Sequence, residues 1–170
     1  ISTHHHNGHN PAESDGFANA FFFPGQYYDY RWPMILAGHD WINKERLDYE
    51  AGSPDGRGGI ERIPGDYCEV ASTQWFHDHM LDFTAQNVYK GLAGFYLLFN
   101  EFDTGNENTG FRLPTFPDFD IPMIFNDKNF DPDDGLLAFD LANRDGILGD
   151  KFLVNGKIQP FFEVKRRRYR

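Results

Sequence analysis

Apolar residues in this chain alternate with polar ones or gather in runs of strand length, and turn residues separate one run from the next. Residues 1–6 read as a histidine-dense strand that ends in the polar turn Asn7-Gly8-His9-Asn10-Pro11. Phe21, Phe22 and Phe23 lead into a Pro24-Gly25 turn, and residues 27–33 alternate well enough for a strand. Between about residues 37 and 68 the pattern loosens into loop chemistry, with a short helical turn expected over 41–49, and the stretch reads as a surface insertion. Residues 72–79 have strand character, and 82–89 suit a short helix closed by Lys90-Gly91. Residues 92–99 form an apolar run of strand length. Further strands are expected over 119–127, over 152–158 around an Asn155-Gly156 hairpin turn, and over 161–169. Short strands at this spacing predict an all-β sandwich or barrel.

Composition supports that reading and narrows the function. Hydrophobic residues make up 40% and aromatics 17% of the 170, enough to furnish a packed core, while 17 glycines and 10 prolines favour turns over long helices. The net charge of −10 repels phosphate backbones and argues against a nucleic-acid partner. The one basic cluster, Lys165 to Arg168, reads as an exposed strand or turn. A single cysteine, Cys68, rules out a disulfide within the chain and any CxxC metal or redox motif. No apolar run approaches the roughly 20 residues of a membrane helix. The opening residues read as the inside of a strand without a leader, so the sequence is expected to be a fragment and carries no targeting information.

The histidines carry the chemistry. Four of the seven form two His-x-His pairs, His4/His6 and His77/His79. Side chains two apart on a strand share a face, and a rise of about 3.3 Å per residue sets them roughly 7 Å apart. Such a pair can chelate one metal or offer one imidazole to each of two neighbours, and neutral imidazole suits copper, zinc, iron and nickel. In the triple His4-His5-His6, alternation allows His4 and His6 on one face or His5 alone. Asp78 lies between two histidines and should point away from them, as a structural residue. Trp75 and Phe76 read as core, and His9 and His39 as solvated loop residues or neighbours of the ligands.

The string Trp75-Phe76-His77-Asp78-His79, with Thr84, Asn87-Val88-Tyr89 and residues 91–96, resembles a copper motif of the multicopper oxidases. It is most similar to the branch of the bacterial spore-coat laccase, the bilirubin oxidases and phenoxazinone synthase. Residues 3–8 with Ser14-Asp15-Gly16 resemble that branch's first motif, and residues 153–157 and 163–170 resemble the start of its second domain. Asn7 stands where the family carries Gly, and Gly8 is expected to take over the backbone role.

The resemblance implies cupredoxin-like Greek-key domains. Residues 1–100 would be the C-terminal part of domain 1 with the 37–68 insertion, 101–117 an interdomain linker, and 118–170 the beginning of domain 2. It implies copper as cofactor, with His4 on a type 2 copper, His6 on one type 3 copper, and His77 and His79 serving the type 3 pair. The type 1 copper would sit in domain 3, elsewhere in the same protein. Dioxygen and a phenolic, bilirubin-like or metal-ion reductant would be the reactants, in an extracellular, periplasmic or spore-coat setting. Asp15 matches an acidic position near the type 2 copper and is a candidate proton relay or electrostatic tuner; the alternative is that it only shapes its turn. Rival readings are a β-sandwich holding a single zinc or copper, and a cupredoxin module kept for structure alone.

Overall fold

The computed structural model of the protein describes residues 1–35, 39–42, 60–63, 65, 66, 68, 70–143 and 145–170. Nine strands lie among the described residues: β1 (Thr3–His6), β2 (His39–Ile42), β3 (Ile60–Ile63), β4 (Ser72–Asp78), β5 (Ala93–Leu98), β6 (Phe125–Phe130), β7 (Leu137–Ala138), β8 (Lys151–Val154) and β9 (Lys157–Ile158). They form antiparallel sheets in the orders β1-β4-β5, β2-β3 and β7-β6-β8-β9. One short helix, α1 (Thr84–Tyr89), and a 3-10 turn at Ala12–Ser14 complete the regular structure. The expected all-β class is present.

The first sheet decides where the chemistry sits. In the β1–β4 register His4 faces His77 and His6 faces Trp75, while Thr3 faces Asp78 and His5 faces Phe76. Residues opposed across an antiparallel pair share a face, so His4, His6, Trp75 and His77 stand on one side of the sheet. His5, Phe76 and Asp78 stand on the other. Across β4–β5, Phe76 faces Gly94, and a Cβ there would lie 2.8 Å from the tip of the Phe76 ring. Glycine at 94 is what lets that ring lie flat against β5.

Several expected elements shift, each for a local reason. Residues 27–33 form no strand, because their side chains anchor them to the 3-10 turn instead. Tyr28 donates to the Glu13 carbonyl, Trp32 to the Ser14 carbonyl, and the Arg31 amide to the Ser14 hydroxyl. The strand expected from residue 119 begins only at Phe125, beyond Pro122, which has no N–H for a ladder. Residues 161–169 alternate without pairing as a strand; the tail is held instead by single backbone bonds, Ile121 to Arg170 and Arg170 to Phe119. Trp41 and Ile42 belong to β2 rather than to a helical turn, and the rest of 41–49 lies outside the described residues, as does most of the 37–68 stretch. The hairpin at Asn155-Gly156 forms as expected, with φ of 50° and 79° at the two turn residues.

The interior is polar rather than apolar. Among the described residues Leu153 is the one large apolar side chain that is buried, whereas Ser2, His5, Ser14, Gln74, His77 and Asp78 are all buried around the first sheet. Asp78, 2% exposed, organises this region. Its carboxylate accepts from the Ser2 amide at 2.7 Å, the Met80 amide at 3.3 Å and the Asn87 side-chain amide at 2.9 Å. It thereby ties the start of β1, the end of β4 and α1 into one unit. Tyr89, at the end of α1, links that unit to the last sheet: its hydroxyl accepts from the Asn129 amide at 2.8 Å, and Lys128 donates to its carbonyl. Residues 101–120 are held against the tail by Arg170, which pairs with Asp103 and Asp120, and by Arg167, which pairs with Glu107 and stacks 3.4 Å over Phe119.

Truncating Asp78 to Ala strands several buried donors at once. Asp78→Ala is expected to cost about 3 kcal/mol, read as a lower urea midpoint at unchanged m-value.

Candidate metal centre

Two strands, one turn and one chain reversal place the four predicted histidines. β1 carries His4 and His6, β4 carries His77, and His79 follows directly after β4. The backbone amide of His79 donates to the Ser2 carbonyl at 2.6 Å, which folds the residue back toward β1. The rings converge. The His4 ring centroid lies 5.7 Å from that of His6, 5.4 Å from His77 and 5.2 Å from His79, and His77 and His79 are 5.9 Å apart. One ring nitrogen from each of His4, His6 and His77 lies within 4.8 Å of the others. His79 stands outside this tight group of nitrogens while its ring borders the same space.

Backbone carbonyls set the orientation of two of the rings. His4 Nδ1 donates to the Asp15 carbonyl at 2.5 Å, and His77 Nδ1 donates to the Asp78 carbonyl at 2.8 Å. Each bond places the proton on Nδ1 and leaves the Nε2 lone pair pointing into the site, as a metal ligand requires. The Asp15 carbonyl is itself held in place by the 3-10 turn and by Gly16. Gly16 has φ 76°, and a Cβ there would stand 2.3 Å from the Thr3 carbonyl oxygen. The Ser14-Asp15-Gly16 turn therefore presses directly on β1. The Asp15 carboxylate also approaches His4 Nδ1, at 3.4 Å, with its side chain 47% exposed. Asp15 thus touches both the His4 ring and solvent.

Electrostatics keep the site ready for a cation. Burial lowers the pKa of His77, and the neighbouring His4, His6 and His79 push in the same direction; the bond to the Asp78 carbonyl opposes them. His6 Nδ1 and His77 Nε2 are 3.2 Å apart. With the His77 proton on Nδ1, His6 is the donor across this gap, and a neutral imidazole at His77 is the ligating form.

Trp75 is not a core residue. It is 38% exposed and lies on the site face, stacked on His6 at 5.1 Å and 27° and tilted against His77 at 4.2 Å and 33°. Phe76 packs on the opposite face against Trp32. Asp78 points away from the histidine face, as alternation requires. His9 stays in the loop after β1, and His39 opens β2. The Asn7 substitution works differently from expectation: Asn7 itself adopts the left-handed φ of 65°, which asparagine tolerates. Gly8 is needed for space instead, since a Cβ there would lie 2.1 Å from Asn10 Nδ2 and 2.6 Å from His5 Nδ1. Sequence reading did not single out Asn10 or Gln74. Neither belongs to a motif, and only the fold brings them to His5.

No family model matches the chain. It is 32% identical over 180 residues to a laccase of Bacillus stratosphericus, covering 98% of this chain and 29% of that protein. It is 29% identical over 170 residues to a bilirubin oxidase of Albifimbria verrucaria, covering 99% of this chain and 23% of that one. Among solved structures it is similar to the McoA multicopper oxidase of the hyperthermophile Aquifex aeolicus, with a TM-score of 0.67, 25% identity, and 99% of this chain against 29% of that one. The antiparallel sheets place the chain among the cupredoxin-like all-β folds. Within that class it belongs to the multicopper oxidase family, spanning under a third of the length of these relatives.

The lowered pKa values of His77 and His5 have a definite stability sign. Both rings are held neutral in the folded state, so their contribution is complete above about pH 6.5 and is lost as the pH falls below that value, where the unfolded chain takes up protons first. Thermal melts in a chelator are expected to show Tm falling on acidification from pH 7 to 5, with a shallower fall in His77→Phe.

Proposed function

We propose that this chain supplies half of the histidine ligands of a trinuclear copper cluster in a multicopper oxidase. His4 would bind the type 2 copper, His6 one type 3 copper, and His77 and His79 the type 3 pair. The observation that carries the reading is the convergence of four imidazoles, three on β1 and β4 and one just past β4, two of them with Nδ1 tied to a backbone carbonyl. An all-imidazole, oxygen-poor donor set fits copper and does not suit magnesium or calcium. When bound, copper supplies the one-electron redox chemistry that couples oxidation of a phenolic, bilirubin-like or metal-ion reductant to four-electron reduction of dioxygen to water.

The chain's own residues have distinct tasks in that reading. The Asp15 and Asp78 carbonyls hold His4 and His77 in the ligating tautomer. The Asp15 carboxylate, half in solvent and 3.4 Å from His4, is placed to pass protons toward the site or to tune its charge. Trp75 covers the His6 and His77 rings and limits their access to water. Residues 1–100 then form part of a first cupredoxin domain, 101–117 the connection, and 118–170 the beginning of a second. Domain 3 of the same protein would bring the remaining ligands and the type 1 copper. The family's chemistry fits a location outside the cytoplasm; no described helix is long and apolar enough to cross a membrane.

A second reading has one specific observation in its favour: the nitrogens of His4, His6 and His77 are close enough to share a single zinc or copper ion without His79. Metal analysis of the protein carrying this chain separates the two. Under the cluster reading, bound copper exceeds one ion at this site, and His77→Ala and His79→Ala each lower it. Under the single-ion reading His77→Ala empties the site and His79→Ala leaves it at one metal. Unchanged copper in both variants would overturn the ligand assignment altogether.

A further inference from the structure

We infer that α1 is a clamp that positions His79, with Asn87 and Thr84 as its two positioning residues. The inference rests on the ligand assignment proposed above. His79 is exposed and lies one residue past the end of β4, where the strand ladder no longer sets its place. Its ring nevertheless stands 5.2 Å from that of His4 and 5.9 Å from that of His77. The bonds that hold it there run through the residues on its two sides, Asp78 and Met80, and both lead to α1.

Asp78 is tied to α1 by a closed circuit. Its backbone amide donates to the Leu92 carbonyl at 3.0 Å, and the Leu92 amide donates to the Asn87 carbonyl at 3.0 Å. The Asn87 side-chain amide then donates to the Asp78 carboxylate at 2.9 Å. A carboxylate only accepts, so Nδ2 is the end of the Asn87 amide that faces it. Gly91, at φ 107°, supplies the turn that brings Leu92 back to the helix. The same carboxylate accepts from the Met80 amide, just after His79, and from the amide of Ser2, whose carbonyl receives the His79 amide. Met80 is held a second time, because Thr84 Oγ1 donates to its carbonyl at 2.8 Å. Thr84 and Asn87 stand three residues apart, on one face of α1, and that face meets the reversal that carries His79. Loss of either bond lets the chain on one side of His79 swing, and the His79 ring moves away from its neighbours. His4, His6 and His77 stay in place, since the β1–β4 ladder carries them.

The test measures copper affinity, by chelator competition, and the Cu(II) EPR spectrum of the protein carrying this chain. The parent is compared with Asn87→Asp, Thr84→Val, Thr84→Ser and His79→Ala, with circular dichroism and melting to monitor the fold. Asn87→Asp keeps the shape, removes the donor and sets a second carboxylate against Asp78. Thr84→Val keeps the shape and removes one hydroxyl bond at a half-buried position, so it reports even if Asn87→Asp folds poorly. The expected result is an affinity about ten- to a hundredfold lower in Asn87→Asp, a smaller fall in Thr84→Val and parental affinity in Thr84→Ser. Both weakened variants are expected to show the EPR change of His79→Ala, which a general loosening of the fold would not reproduce. Parental affinity in a folded Asn87→Asp or Thr84→Val variant, with copper lowered in His79→Ala, overturns the clamp alone. So does a Thr84→Ser variant as weak as Thr84→Val, or an EPR change unlike that of His79→Ala. Parental copper binding in His79→Ala overturns the ligand assignment on which the clamp rests.

Discussion

Backbone pairing between β1 and β4 is the constraint on which the rest of the structure turns. The register that sets His4 opposite His77 is short, four residue pairs, and side-chain direction alternates with every residue. A slip by one would send His5 to the face that now carries His4, His6 and His77 and bury His4 and His6 behind the sheet. The chain guards against that slip at both ends of β1. Asp78 binds the Ser2 amide and the Ser2 carbonyl binds His79 at one end, and the Gly8 amide closes a turn on the His5 carbonyl at the other. Gly16 packs on the backbone of Thr3 and His4 from above. Four short contacts thus do for this register what a longer ladder would do elsewhere.

The polar interior follows from the same constraint. Strands that must offer imidazoles on one face and take carboxylate and amide partners on the other have few positions left for aliphatic packing. Aromatic rings fill the gaps instead, with Trp32, Phe76 and Tyr96 gathered around His5. Buried polar groups are costly unless paired, and here most are. Asp78 takes its bonds from backbone and asparagine amides and His77 donates to a carbonyl, so neither depends on a charged partner.

Local patterns predicted local structure well. Alternation and the two His-x-His pairs pointed to the strands whose histidines converge, and Asn155-Gly156 marked its hairpin, because these signals depend on residues next to one another. Residues 27–33 misled for the opposite reason. Their alternation is real, yet Tyr28 and Trp32 spend it on hydrogen bonds to residues 13 and 14, which no periodicity reveals. Trp75 could be read as core from its size alone, and only the register with His6 shows it on the histidine face. The triple His4-His5-His6 left two facings open. What resolves it is long-range: Gly16 and Asp15 folding over His4, and Tyr96 packing on His5 from β5.

Trp75 has two sides. One face of the indole rests on His6 and His77, and the residue also lines a groove of about 830 Å³ between the first and last sheets, together with Phe95, Met123, Phe125 and Leu153. The ring therefore forms part of the wall between that groove and the histidine face. A side chain or small molecule entering the groove would meet the same indole that covers two of the imidazoles.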